Sequence, residues 1–213
     1  MPSTVRAFLE VVKFSRARSQ RPMTAERSRQ SSGVPGMDSL ARVSAISPQP
    51  PVVPRRPARV RLADAADAVA IADVHVRSYE EAYSSLLSAE VIARHAQTAR
   101  PRWSERLSDA RGDHYWLAER SGQVVGFSWA QATGARAVRP LELVGLYVLA
   151  AEYGTGTADV LLEAAVGDAP CFLWVAEGNA RAQAFYRRHG FEPDGAVDVL
   201  GEGDDTTTLR MVR

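Results

Sequence analysis

Lysine is all but missing from this sequence: Lys13 is the only one in 213 residues. A Schiff-base mechanism, or a phosphate loop built on a lysine, is therefore excluded from the body of the chain. Cysteine is as scarce. Cys171 alone permits no internal disulfide and no cysteine-based zinc cluster, which suits a reducing, cytoplasmic setting; at the head of an apolar run it reads as a small packing residue. No apolar run approaches the roughly 20 residues of a membrane helix, so a soluble protein without a membrane partner is expected. His75 and His114 have no partner at metal or triad spacing. They read as structural, and no metal is expected.

What is present divides in two. With 46% hydrophobic and 24% charged residues, the chain is long enough for one ordinary core and an appendage. Residues 1–57 hold 10 of the 26 basic and 3 of the 25 acidic side chains, which leaves 16 basic against 22 acidic, a net charge of −6, in 58–213. The first segment is rich in Arg, Ser and Pro and carries SPQPPVVPRRP at 47–57; its one helix-like piece, VRAFLEVVKF at 5–14, is too short to stand alone. A disordered extension, 1–57, followed by one domain, 58–213, is the expected organisation. An organelle transit peptide, or translation begun upstream of Met23 or Met37, would leave the same signature. The extension lacks interleaved aromatics, so no nucleic-acid partner is expected.

From Val60 onward the pattern is that of a mixed α/β sheet. VRLA at 60–63 reads as a strand, and ADAVAIADVHVRSYEEAY as a helix with Val69, Ala72, Val76 and Tyr79 at helical spacing. Residues 87–110 read as one or two helices, with Pro101 a break or a fresh start. HYWLAER and QVVGFSWA flank Ser121-Gly122 as a hairpin. LELVGLYVL at 141–149 is the most strand-like run; a glycine turn and a helix with Ala158, Leu161, Leu162 and Ala165 on its apolar side follow it. CFLWV at 171–175 is a buried strand. Asn179 then caps a helix whose core stripe is Ala182/Phe185 and whose last turn, Arg187, Arg188 and His189, complements the helix dipole before Gly190 ends it. Two final strands, near 196–200 and 206–212, enclose the turn GEGDD.

Two stretches carry chemistry. Gly154, Thr155, Gly156, Thr157 and Ala158 lie between an apolar strand and an amphipathic helix, where small residues let a ligand reach unpaired amides. Such a turn is either a pyrophosphate site that needs no lysine or a plain strand-to-helix connection. A dinucleotide fingerprint is disfavoured, because Asp159 stands where its third glycine would be. Tyr186, one position past the expected core stripe, is either a proton donor or a core-edge tyrosine with its hydroxyl in water.

These two stretches, LYVLAAEYGTGTADVLLEAA at 146–165 and WVAEGNARAQAFYRRHGF at 174–191, resemble the GNAT superfamily of N-acetyltransferases. In the second, Trp174, Val175, Asn179, Ala182, Phe185, Tyr186, Gly190 and Phe191 stand at the family's motif positions. The resemblance runs from about Val60 to Arg213. It implies a central mixed sheet flanked by helices and an acetyl-CoA co-substrate lying where the strands at 141–149 and 171–175 part. Leu146, Tyr147 and Val148 would pair with the pantetheine arm, residues 154–158 would hold the pyrophosphate, and Asn179 would complete the site. Tyr186 would act as general acid on the departing thiolate, and Glu142 would take the amine proton, unless it is merely a solvated strand-end carboxylate. Tyr79, Glu80, Glu81 and Tyr83 would line the acceptor side, suiting a small primary amine, with peptide N-termini as the alternative. The resemblance also leaves room for a homodimer. Tyr153 departs from the family's usual Arg or Gln and removes a polar partner from the turn. A non-catalytic acyl-CoA sensor on the same fold is the other reading.

Overall fold

The computed structural model describes residues 57–109, 114–199 and 206–213. Nearly all of the expected extension, residues 1–56, and the turn at 201–205 lie outside the described residues. In chain order the elements are β1 (Arg59–Leu62), a 3-10 turn (Ala65–Asp67), α1 (Ala68–Tyr83), α2 (Ala89–Ser108), β2 (His114–Arg120), β3 (Gln123–Ala132), β4 (Leu141–Val148), α3 (Thr157–Val166), β5 (Cys171–Ala176), α4 (Ala180–Arg188), β6 (Glu192–Val199) and β7 (Thr207–Val212). The strands form one mixed sheet in the order β1-β2-β3-β4-β5-β7-β6. This is the expected fold.

Local sequence sets most of these elements. Ser121 and Gly122 both have positive φ, 52° and 76°, the conformation that a two-residue turn needs to match the twist of the β2–β3 hairpin. Asp64 caps the 3-10 turn by accepting from the Ala66 amide, and Ser88 caps α2 by accepting from Val91. Pro101 neither breaks nor restarts the second helical stretch: α2 runs unbroken from Ala89 to Ser108 with the proline inside it. The last pair of strands starts earlier than expected, at Glu192, because a register shift between Pro193 and Val197, with Gly195 at φ 85°, continues the pairing through a bulge.

Two helix faces are rotated from their expected positions. On α1 the buried residues are Ala68, Ile71, Ala72, Val74, His75 and Ser78, while Val69 is 51% exposed. The run AVAIADVHV is apolar nearly all round, so periodicity alone leaves the face open and packing on β3 and β4 selects it. On α4 the buried side chains are Gln183 and Tyr186, with Ala182 and Phe185 only half-buried. Gln183 survives burial because its Nε2 donates to the carbonyls of Ala176 and Glu177, at 3.3 and 2.7 Å.

The core has two halves joined by α3. Leu161 packs with Ile71, Leu117 and Phe127, and the adjacent Leu162 packs with Leu173, Phe191 and Met211. The Ser128 hydroxyl fastens the helix to β3 by donating to the Leu161 carbonyl at 2.9 Å.

The parallel pairing of β4 with β5 spans only Leu141–Cys171 and Glu142–Phe172. Beyond it the strands part. The cause is on the other side of β4: pairing with β3 shifts register between Trp129 and Ala130, opposite Gly145 and Leu143, so Val144 is an extra residue. A bulge bends and twists the strand that carries it, and here it turns β4 away just where pairing ends. Gly145 is required there, since any Cβ would run into the Trp129 ring.

The N-terminal edge of the domain is also fixed. The Ala58 amide donates to the buried Thr157 hydroxyl at 3.2 Å, and the Pro57 ring lies against Gly156. A chain starting at Pro57 should therefore melt with the full-length protein, whereas one starting at Val60 loses that buried hydrogen bond and should melt about 2–4 °C lower. Thermal denaturation of the two truncations beside the parent measures this difference.

Candidate active site

Where β4 and β5 part, a cleft of about 670 Å³ opens, within the ordinary range for a small-molecule site. One wall is β4 from Leu143 to Val148 with the turn that follows; the other is Trp174 and Val175 of β5 with Asn179, Arg181 and Tyr186 of α4; Ser78 and Tyr83 of α1 close one end. The β5-facing edge of β4 beyond Glu142 has no strand partner among the described residues. Backbone groups on such an edge are obligatory hydrogen-bonding groups left open for a ligand.

The turn after β4 is braced from behind. Arg120 at the end of β2 holds Glu152 in a bidentate pair, 2.7 Å to each oxygen. Glu152 Oε2 in turn accepts from the hydroxyls of Thr155 and Thr157, at 3.0 and 2.7 Å. The Thr155 and Thr157 side chains thus point away from the cleft. What the turn offers on the cleft side is backbone: the amides of Gly154, Gly156 and Ala158 have no acceptor among the described residues, and they precede and open α3, whose dipole adds positive potential there. Gly156 has φ 82°, and a Cβ on it would press on Pro57. Larger residues are therefore strained at this position whatever binds.

Asn179, the only asparagine in the chain, stands on the cleft wall, as does Tyr83 of α1. Its Oδ1 accepts from the Ala182 amide at 3.1 Å, capping α4. Tyr186 is 8% exposed, and burial, with Tyr83 nearby, drives its pKa well above the ordinary tyrosine value. Burial raises Tyr83 and Tyr147 too. A cluster of neutral phenols therefore faces the cleft at any physiological pH.

Of the residues singled out in the sequence, Leu146, Tyr147, Val148, Gly154, Gly156, Ala158, Asn179, Tyr83 and Tyr186 all line this cleft. Of the motif and helix residues also named there, Tyr153, Asp159, Trp174, Val175, Ala182, Phe185 and Arg188 line it too, whereas Glu142, Tyr79, Glu80, Glu81, His75, His114 and Cys171 do not. Glu142 sits at the still-paired end of β4 and accepts from Gln131 Nε2 at 3.1 Å. Tyr79 stacks on His95 at 4.0 Å, behind Tyr83. Glu80 is exposed, and Glu81 accepts from the Ala150 amide at 2.7 Å. His75 is buried and accepts from Trp103 Nε1 at 3.0 Å; burial, then His95, keeps it neutral. His114 is exposed at the start of β2, and Cys171 is fully buried in the core. No group of three or more metal-ligating side chains occurs among the described residues. Arg181 and Trp174 line the cleft without having stood out as site residues. Nothing in the sequence marked Arg181 except its place two residues after the cap.

Comparison with known proteins agrees with this geometry. A family model described as an acetyltransferase (GNAT) domain matches residues 111–193. A Mycobacterium tuberculosis (strain H37Rv) protein named as an uncharacterized N-acetyltransferase is 31% identical over 137 residues, spanning 61% of this chain and 85% of that one. Among solved structures, a GCN5-related N-acetyltransferase from Rhodopseudomonas palustris superposes with a TM-score of 0.58 at 20% identity, covering 75% of this chain and 96% of that chain. The PaiA N-acetyltransferase of Thermoplasma acidophilum, solved in complex with coenzyme A, gives 0.57 at 15% identity, covering 73% and 98%. A ribosomal-protein-alanine N-acetyltransferase from Brucella melitensis gives 0.51 at 26% identity, covering 73% and 98%.

The bracing of the turn makes a pH prediction. The Arg120 hydrogen bonds, helped by Thr157 and Thr155, hold the Glu152 carboxyl at a pKa of about 2 against an ordinary 4.5. A carboxyl lowered on folding stabilises the fold fully above its unfolded value and loses that contribution as pH falls through the folded one. Melting temperature should therefore drop between about pH 4.5 and 2. Glu152→Gln should melt lower at neutral pH and show a shallower decline across that window, which a pH series of thermal melts on both proteins reads directly.

Proposed function

The chain belongs to the GNAT superfamily of N-acetyltransferases, and from that premise we propose that it moves the acetyl group of acetyl-CoA onto a primary amine of a small molecule or peptide. The observation that carries this reading is the open edge of β4 running from the phenol cluster at one end to the unpaired amides of Gly154, Gly156 and Ala158 at the other. That is an extended groove with polar backbone along it and an anion site at its end. An amide-bearing arm with a terminal pyrophosphate fits both features. The coenzyme A complex of the Thermoplasma protein, which shares the fold, supports the same ligand here.

Acetyl-CoA supplies the acyl group as a thioester. Transfer requires the amine nitrogen to add to the thioester carbonyl carbon and the C–S bond to break, with a proton reaching sulfur and one leaving nitrogen. Tyr186 gives the first: a phenol on the cleft wall that holds its proton at neutral pH, it acts as general acid toward the thiolate. The second proton goes to solvent at the cleft mouth. The carboxylates on the cleft wall, Glu152 and Asp159, are held by Arg120 and by Arg188 with His189, and Glu142 is turned to Gln131. Of the expected acceptor-side residues, only Tyr83 stands on the cleft wall. It offers an aromatic face and a hydroxyl to the incoming amine.

Tyr186→Phe keeps the ring in the core beside Phe191 and removes only the hydroxyl, so fold and acetyl-CoA affinity should persist while kcat falls by about 10²- to 10⁴-fold. Thiol release with a panel of amines measures it, and a variant that keeps the parent's kcat removes Tyr186 from the mechanism. Because burial raises this phenol, no high-pH decline from it is expected near the ordinary value of about 10. Binding of acetyl-CoA with no thiol release for any amine would instead mark the chain as a sensor.

A further inference from the structure

Among the described residues, Arg181 is the one cleft-lining guanidinium that is not spent on a carboxylate. The cleft carries two arginines, Arg181 and Arg188. Arg188 is paired with Asp159 at 3.0 Å, whereas Arg181 forms no ion pair among the described residues; its guanidinium lies over the Tyr153 ring, 3.8 Å from the centroid. That contact spans the cleft. Tyr153 immediately precedes Gly154 on the β4 side, and Arg181 stands on the first turn of α4 on the opposite side.

A guanidinium over an aromatic ring is held by the ring quadrupole, and the contact uses none of its N–H donors. The ring thus holds a cation beside the turn whose Gly154, Gly156 and Ala158 amides have no acceptor among the described residues. Its charge has no ion-pair partner among the described residues, in a domain whose net charge beyond residue 57 is −6, where a polyanion would otherwise meet repulsion. We propose that Arg181, held by Tyr153, is the cationic clasp for the phosphates of the acyl-CoA co-substrate, closing over them from the α4 side. The clasp rests on the acyl-CoA reading given above, and it assigns Tyr153 the task of placing a charge it does not itself carry.

The test is calorimetric binding of coenzyme A to the full chain, with pantetheine, which lacks the phosphates, as a competitor. Arg181→Ala should weaken coenzyme A by about tenfold or more, the loss expected for one charge-assisted contact, and leave the pantetheine constant unchanged. Arg181→Lys should recover part of the affinity, because the charge returns without the guanidinium's several donors. Tyr153→Phe should behave as the parent and Tyr153→Ala should fall between the parent and Arg181→Ala. Raising salt should weaken the parent more steeply than Arg181→Ala. Equal coenzyme A affinity in the parent and Arg181→Ala, or an equal loss for coenzyme A and pantetheine, overturns the clasp while the acyl-CoA reading stands. A parent that binds neither compound overturns both.

Discussion

Everything distinctive in this molecule depends on β4 leaving β5 after two paired residues. Backbone N–H and C=O groups on a buried strand edge must find partners, and continuous pairing would have sealed the sheet. The extra residue at Val144 and the Trp129 ring packed on Gly145 turn β4 aside instead. The open edge persists because the halves it separates are joined elsewhere, by the adjacent Leu161 and Leu162 on α3. A rigid sheet thereby carries a groove without loosening the fold around it.

The charges follow a consistent plan. Carboxylates close to the turn would oppose a phosphate, and each is tied up: Glu152 by Arg120 and two threonines, Asp159 by Arg188 and His189. Such pairing directs the negative charge into the framework and leaves backbone amides facing the cleft. The same bonds give the turn its shape, since the Thr155 and Thr157 hydroxyls that reach Glu152 hold Gly154 and Gly156 in their left-handed conformations. Structure and electrostatics are thus supplied by one network. In the phenol cluster the reverse strategy applies: Tyr83, Tyr147 and Tyr186 stay neutral because burial disfavours their anions.

Much of this was legible in the sequence, where the signal is local. The hairpin at Ser121-Gly122, the cap at Asn179, the left-handed exit at Gly190 and the order of strands and helices follow from turn chemistry, capping and periodicity. Helix faces were less legible. α1 is apolar almost all round, and on α4 the polar Gln183 is buried only because two carbonyls at the end of β5 and just beyond it receive its amide.

The sequence by itself determined which elements form, that residues 58–213 hold no lysine and a single cysteine, and that a small-residue turn opens α3 and a tyrosine lies on α4. Those are properties of residue type and short-range spacing. Tertiary structure alone decided that Glu142 faces Gln131 and not the cleft, that Thr155 and Thr157 brace Glu152, that Tyr186 is buried, and that Arg181 meets Tyr153 from 28 positions away in the chain. Each of these depends on which way a side chain points once distant strands and helices pack. That direction is fixed by the bulge in β4 and by contacts between elements far apart in sequence, so no local pattern encodes it.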